Sequence, residues 1–479
     1  MTEVIAETQE PPAYRWRWLA LSAVLAAEIM DLIDGTVVGI AAPSIRADLG
    51  GGDTMIQWVA AGYTLAFAVG LITGGRLGDL YGRRQMFLVG LVGFIAASVL
   101  CGLATTPTTL IGARVAQGLL GAVLIPQGFG IIKTIFRPSE LGKAFGMFGP
   151  TIGLAVVGAP ILGGALIDWD LAGTGWRTVF LINVPIGLAA LALAVAVLPE
   201  SRADDGPRPD PVGVVLVSTG LALLVFPLVQ GRELGWPAWI LTMPAVAIAV
   251  LALFAVHQVR RRNAGRAPLV EPALFRLRAF SAGMGVGLAF FAGMTGLILA
   301  LGLYLQLGLG YTPLQAGLTQ APWALGVAIG SGLSGAVLAA RFGRTGLQVG
   351  ALVMVAGIGV LVPTISLTAG AVTGWQLAPG LLVCGFGMGM VMTPFFDITL
   401  AGVTLPLVGS ASGVLNANQQ LGGAAGIAVL GTVFFDLFDK GRATSAIDAV
   451  LVASAGLVLV AAALAFLLPR RSAAAVEAH

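Results

Sequence analysis

The sequence predicts an all-α polytopic membrane protein, built as two six-helix bundles with two further helices inserted between them. Three observations predict it. Charged residues are 10% and hydrophobic residues 57% of the 479, whereas a soluble domain carries about 25% charged residues. Fourteen segments are apolar over the roughly 20 residues that cross a bilayer. A basic loop motif recurs 261 residues further along the chain. The composition excludes a soluble enzyme, a nucleic-acid-binding domain and a disordered chain. A pI near 9.1 is therefore read as topology and not as a nucleic-acid partner.

The fourteen segments are 18–41, 55–74, 86–104, 109–131, 144–167, 178–198, 212–230, 238–257, 280–307, 314–340, 346–366, 376–397, 410–434 and 446–468. Polar breaks such as Pro199-Glu200-Ser201-Arg202 and Asp210-Pro211 separate them. Backbone polar groups in lipid must be satisfied internally, so helices are the default. Alternating barrel strands of about 10 residues are not seen. The first segment is long and has no small-residue cut site, so it is read as a retained span rather than a signal peptide. Basic residues set orientation. With the N-terminus inside, inner loops hold 20 Lys and Arg, outer loops hold five, and Arg114 lies within a span. Both termini are thus expected to be cytoplasmic. Only 3 of the 26 basic residues are Lys, which is read as GC-rich, bacterial coding.

Aligning Tyr81-Gly82-Arg83 with Phe342-Gly343-Arg344 makes spans 1–6 and 9–14 equivalent halves. Such parallel repeats are a transporter arrangement. The expected organisation is a tail 1–17, a first bundle 18–198, a linker with two inserted helices 199–279, a second bundle 280–468 and a tail 469–479.

The few charges inside spans single out residues for function. Glu28, Asp31 and Asp34 follow one another at three-residue spacing in span 1, so they drift about 60° per step around one broad helix face. A carboxylate at a helix centre costs roughly 2.5–3.5 kcal/mol even on lenient scales, so it marks a functional site by default. The alternative for Glu28 and Asp31 is a hydrogen bond to a neighbouring helix. Arg114 cannot be neutralised and needs a partner; Gln117 lies one turn away, and a span 1 carboxylate is a candidate. Snorkelling to the outer interface is the alternative. Asp397 either faces a cavity in the second half or caps its helix at the inner interface. Asp79, Arg83 and Arg84 around Gly82 can form a charge-assisted network at the cytoplasmic face, or else simply set topology. Gly158, Pro160, Gly163 and Gly164 suggest that span 5 bends and packs closely. Trp58, Tyr63, Gln127, Tyr304 and Trp323 are candidate substrate contacts beside Asp34, Asp31, Gln117 and Asp397; the aromatic ones have core or lipid-facing positions as their alternative. Cys101 and Cys384 lie in apolar runs and read as packing residues. Two histidines leave no basis for a metal site or a catalytic triad.

Together these residues resemble the major facilitator superfamily, in particular its fourteen-helix drug:proton antiporter branch. Ile33-Asp34-Gly35-Thr36 with Ala41-Ala42-Pro43, Gln57-Trp58-Val59 and Gly75 through Arg84 are similar to its first-helix, second-helix and cytoplasmic signatures. So are Arg114-Val115-Ala116-Gln117-Gly118, Trp176-Arg177 with Asn183-Val184-Pro185, and Gln419-Gln420-Leu421-Gly422-Gly423. Gly158-Ala159-Pro160-Ile161-Leu162-Gly163-Gly164 resembles the antiporter motif, with Ala159 where Gly usually precedes the Pro. The resemblance implies a major facilitator fold and a transporter, not an enzyme. It implies proton-coupled export of small amphipathic drugs or toxic compounds, cationic ones among them, across a bacterial inner membrane. Asp34, Asp31, Glu28 and Arg114 would couple protons, and Asp79, Gly82, Arg83, Arg84 and the span 5 motif would gate. It implies no cofactor beyond the proton gradient and a monomer in the bilayer. Export of one cell-made antibiotic, peptide or lipid is the alternative. A nutrient symporter, or a receptor without transport, fits the residues less well.

Overall fold

The computed structural model describes residues 14–470, apart from 138–139, 142, 145–146, 201–209, 335–341 and 369–370. Both predicted tails fall largely outside this range, as do the loop residues Arg202, Arg208 and Arg341. The long helices of the first half are α1 Arg17–Leu49, α2 Asp53–Tyr81, α3 Arg83–Gly102, α4 Pro107–Ile135, α5 Phe148–Asp168 and α6 Asn183–Val197. The inserted pair is α7 Pro211–Gln230 and α8 Ala238–Asn263. The second half holds α9 Arg278–Leu303, α10 Pro313–Leu333, α11 Arg344–Leu367, α12 Gly374–Thr399, α13 Leu405–Phe438 and α14 Ala443–Leu464.

A long helix thus stands at each of the fourteen apolar segments. Among the described residues, 11 helices are long and apolar enough to cross a membrane, against the fourteen spans expected. The helices outside that set are α1, α5 and α10. Three carboxylates interrupt α1, α10 carries Gln315, Thr319 and Gln320, and only Gly158–Asp168 of α5 counts, as a shorter apolar helix. The three carboxylates set α1 apart, whereas α5 and α10 adjoin residues outside the described set.

Local sequence sets the helix ends. Thr106 before Pro107 and Thr312 before Pro313 form capping boxes with Thr109 and Gln315. Each Thr oxygen accepts an otherwise orphaned backbone N–H, while the Pro loses nothing at a first-turn position. Gly82 (φ 100°) and Gly343 (φ 49°) each turn the chain directly into the next helix. They are the two glycines that the repeat aligns, and both adopt the left-handed backbone that glycine tolerates. Tyr81 and Phe342, just before them, are both exposed.

In the first half, α4 packs against α2 and α3, and α1 against α5 and α6. In the second, α12 packs against α10 and α11, and α9 against α13 and α14. Glycine lets these backbones meet. A side chain at Gly74 would strike the Ala122 carbonyl, one at Gly385 the Trp323 carbonyl, and one at Gly426 the Ala292 carbonyl. The glycine excess therefore serves packing in both halves. Helix α7 lies on α2 and α13, whereas α8 packs mainly on α7.

The halves meet through α2 with α13 and α5 with α10. These contacts gather at the end remote from the chain termini. There Gln57 Nε2 donates to the Ala428 carbonyl at 3.3 Å and Gln306 Nε2 to the Ile40 carbonyl at 3.0 Å. Arg232, in the α7–α8 loop, joins both halves: it pairs with Asp53 at the start of α2, at 3.1 Å, and with Asp439 after α13. Arg46 reaches the same Asp53 at 2.6 Å. Among the described ion pairs this is the chain that links the two bundles. Arg232→Ala should loosen this end by up to about 1 kcal/mol per partly exposed pair. Spin labels at Thr105 and Ala371, exposed on opposite halves, should then show a broader and longer distance distribution.

Candidate functional site

Five helices of the first half converge on Asp34. Its Oδ2 accepts from Arg114 Nη1 of α4. Its Oδ1 accepts from Gln117 Nε2 of α4 and from Asn183 Nδ2 of α6, both at 2.8 Å. Ser98 of α3 accepts from Gln117 at 2.8 Å and from Asn183 at 3.3 Å. Arg114 Nε donates to the Val59 carbonyl of α2 at 3.1 Å, and its Nη1 also meets Gln117 Oε1 at 2.6 Å. The guanidinium carbon lies 4.2 Å from the centre of the Tyr63 ring and 5.5 Å from that of Phe180. Asp34 is 0% and Arg114 1% exposed. Arg114 is therefore not a snorkelling residue; it is the counter-ion of Asp34. Such burial holds only because each charge is paired and further hydrogen-bonded.

One turn earlier, Asp31 has a different setting. It is partly exposed, and its described partner is the Tyr63 hydroxyl, which donates to Oδ1. Glu28, another turn back, is 8% exposed and its Oε1 has no hydrogen-bond partner. Gly35, four residues after Asp31, is exposed, and a side chain there or at Gly39 would meet nothing within 4 Å. This α1 face borders open volume, whereas Asp34 turns into the bundle.

The other expected contacts are not brought to these carboxylates. Trp58 turns to α7, where its indole donates to Gln230 Oε1 at 3.0 Å and its ring lies 5.9 Å from Phe226. Gln127 donates to the Gly74 and Val123 carbonyls at 2.7 and 2.9 Å, filling the space left by Gly78, so it ties α4 to α2. Trp323 is buried against α12, with its indole on Met388 Sδ at 3.4 Å, and Tyr304 is buried in the core of the second half. Trp323 and Tyr304 took the core alternative because a large ring gains most where it is fully enclosed. Gln117, fully buried, serves Asp34 rather than a ligand surface. Asp397 is exposed in the last turn of α12. Cys101 and Cys384 are buried and unpaired with each other. Ser98 and Asn183 were missed as site residues. The signal for Asn183 was available, since it is a lone amide in an otherwise apolar run.

The model of the Major Facilitator Superfamily matches residues 24–427. The chain belongs to that superfamily. It is 53% identical over 438 residues, 91% of this chain and 76% of the relative, to the "Probable actinorhodin transporter" of Streptomyces coelicolor. It is 38% identical to the puromycin resistance protein of Streptomyces alboniger, over 87% of this chain and 82% of that one. It is 35% identical to the tetracenomycin C resistance and export protein of Streptomyces glaucescens, over 87% and 76%. Among solved structures, an auto-inhibited POT family peptide transporter aligns with TM-score 0.69 at 14% identity, covering 94% of this chain and 96% of its own. A bacterial homologue of the lysosomal transporter Spinster aligns with TM-score 0.65 at 19% identity, over 95% and 97%. At these identities the likeness is one of fold. This major facilitator is a multi-pass protein of a bacterial inner membrane.

Two polar clusters of this facilitator lie near the helix ends on the side of the chain termini. Asp79 accepts from Arg83 Nη2 at 3.1 Å, and Arg83 Nη1 reaches the Gly130 carbonyl of α4 at 3.0 Å. Arg84 donates to the Val195 carbonyl at 2.9 Å and lies 3.6 Å from Glu200. The expected network around Gly82 thus ties α2 and α3 to α4 and α6. The second cluster was not anticipated. Asp210 caps α7 through Gly213 at 3.0 Å and accepts from His257 at 2.8 Å and Gln258 at 2.9 Å. Burial opposes its charge, but the His257, Gln258 and Gly213 hydrogen bonds and nearby Arg261 hold its carboxyl below the usual range. Gln258 Oε1 accepts from Leu269 N at 2.5 Å, and Arg76 reaches the Leu269 carbonyl at 3.1 Å. The linker is therefore stitched to the last turns of α2 through Arg76.

Proposed function

We propose that this protein is a proton-coupled antiporter that exports small amphipathic compounds, cationic ones among them, by alternating access. Its helices would make fourteen crossings with both termini in the cytoplasm, and the end closed by Arg232 would face outward. The observation that carries the reading is the buried Asp34–Arg114 pair beside two less satisfied carboxyls on the open face of α1. A receptor without transport has no evident use for this costly arrangement, and the Gly158–Gly164 motif resembles that of antiporters rather than symporters. Asp34, Asp31, Glu28 and Arg114 form the coupling set. Proton and substrate, each favouring one of two conformations, supply the coupling. The gradient is the energy source, with no cofactor, and one chain suffices.

A narrower reading, export of one antibiotic, is favoured by the relatives, whose names give actinorhodin, puromycin and tetracenomycin C. Proteoliposomes with an imposed pH gradient separate the two. Gradient-driven movement of ethidium supports broad export; movement of actinorhodin without ethidium supports the dedicated one. If the gradient moves neither compound, nor a wider panel of antibiotics, the antiport reading fails.

A further inference from the structure

We infer that the end of α8 on the side of the chain termini, with the segment leading into α9, is a binding site for an anionic phospholipid. Arg260, Arg266, Arg276 and Arg278 hold its phosphates, and the exposed face of α8 carries an acyl chain. The site goes beyond the transport reading and does not depend on it.

The charges come first. Between positions 260 and 278 stand six arginines and one acid, Glu271. Glu271 is taken by Arg262 at 3.2 Å. Arg261 turns inward, 3.5 Å from Asp210 and 3.2 Å from the Ala267 carbonyl. The other four side chains are exposed and have no hydrogen-bond or ion-pair partner among the described residues. Elsewhere on this side arginines are engaged: Arg17 with Glu140, Arg83 with Asp79, and Arg344 with the Phe466 and Leu468 carbonyls. Setting topology needs basic residues but no particular arrangement of them.

Here the arrangement is built. Gln258 Oε1 accepts from Leu269 N at 2.5 Å and Val270 N at 3.3 Å. Leu269, Val270 and Leu274 are buried. The 3-10 turn Pro272–Arg276 packs on α8, and the Arg262–Glu271 pair closes the loop. The segment therefore returns Arg276 and Arg278 toward the arginines at the end of α8.

An apolar track leads to them. Helix α8 packs mainly on α7, and its other side is exposed. Ile248, Ala252, Val256 and Arg260 are all exposed at four-residue spacing, which keeps them on one face. From Ile248 to Arg260 the helix rises about 18 Å, and the hydrocarbon of one leaflet is about 15 Å deep. An acyl chain lying on this track brings its headgroup to Arg260. Phe275, 47% exposed beside Arg276, adds an apolar contact among the charges.

These features select the occupant. Guanidinium forks match phosphate oxygens, and basic clusters at a membrane surface attract anionic lipid. Four free guanidinium groups suit a headgroup with two phosphates. A nucleic acid would leave the apolar track unused. A second copy docked about a two-fold axis would set the same arginines against each other.

The test uses the full-length protein in detergent, with native mass spectrometry to count bound lipid. Diphosphatidylglycerol is the probe and phosphatidylcholine the comparison. The parent should hold the probe roughly tenfold or more tightly than phosphatidylcholine. Combining Arg260→Gln, Arg266→Gln, Arg276→Gln and Arg278→Gln should remove that preference. Lys at the same four positions should bind with intermediate affinity, since the charge stays and the fork is lost. A second quadruple variant, Arg15→Gln, Arg17→Gln, Lys133→Gln and Arg137→Gln, removes equal charge and should keep the preference. Each variant is scored only where its thermal midpoint shows it folded. The parent alone supplies an independent reading in phosphatidylcholine nanodiscs, where adding diphosphatidylglycerol should slow hydrogen exchange over 264–277. Equal affinity of the parent for both lipids, or unchanged exchange in that segment, overturns the site. So does a preference that survives the first quadruple variant or is lost equally in the second. Displacement of the probe by inorganic phosphate, or a dimer that forms in place of bound lipid, assigns the surface to another occupant and overturns it as well.

Discussion

Arg114→Ala is expected to destabilise the protein by about 3–5 kcal/mol, the cost of removing one partner of a buried ion pair. The change leaves the Asp34 carboxylate fully buried with its two amide donors and no counter-charge. It also removes the cation held over Tyr63 and the donor to the Val59 carbonyl, so contacts among α1, α2 and α4 loosen together. The measurement is the thermal midpoint of the detergent-solubilised protein, followed by intrinsic fluorescence, alongside uptake in vesicles. Asp34→Asn in the same background should restore much of the stability. With both charges gone no buried ion is orphaned, and the two effects are coupled rather than additive. If Arg114→Ala melts with the parent protein, the pair is not the organising contact of the first bundle.

Gly164→Val is expected to abolish transport while leaving most of the protein folded. A side chain at Gly164 would land on the Pro313 carbonyl and Leu314 backbone of α10, and one at Gly317 on the Pro160 carbonyl of α5. Backbone cannot give way as a flexible side chain can, so the two helices must separate. Overpacking of this kind costs about 1–3 kcal/mol. The cost falls on the conformation in which α5 and α10 touch, where Asp168 also accepts from Leu314 N at 3.2 Å. The variant should therefore favour parted helix ends, read as a longer label distance between the halves and as efflux at background. Gly158→Ala is the contrast. An added methyl there meets nothing within 4 Å, so near-parental transport is expected although Gly158 belongs to the same motif. Normal efflux by Gly164→Val would show that the close approach is dispensable.

The two variants also show where reading a sequence runs out. That Arg114 and three carboxylates matter follows from their cost in a membrane, which composition and hydropathy expose. That Arg114 pairs with Asp34 rather than Asp31 depends on how α4 is rotated against α1, and helical spacing within one segment carries no such information. Span 5 stood out as rich in glycine and proline, yet only the neighbours separate Gly164, pressed on a backbone, from Gly158, facing space. Trp58 and Gln127 show the same limit: the structure turns the first to Gln230 of α7 and the second to the Gly74 carbonyl of α2, partners that nothing in their own segments marks. Arg232, Asp53 and Asp439 lie 179 or more residues apart along the chain, and nothing local marks them as partners.

By itself the sequence determined the environment, the helical architecture, the family resemblance and the short inventory of ionisable residues a bilayer would otherwise exclude. These follow from transfer free energies and helix-end chemistry, which act residue by residue and over one or two turns. Only the tertiary structure decided which carboxylate pairs with Arg114, which glycines bring the halves together, and where the inserted helices pack. Those depend on the rotation and approach of helices distant in sequence, a property of packing that no single segment encodes.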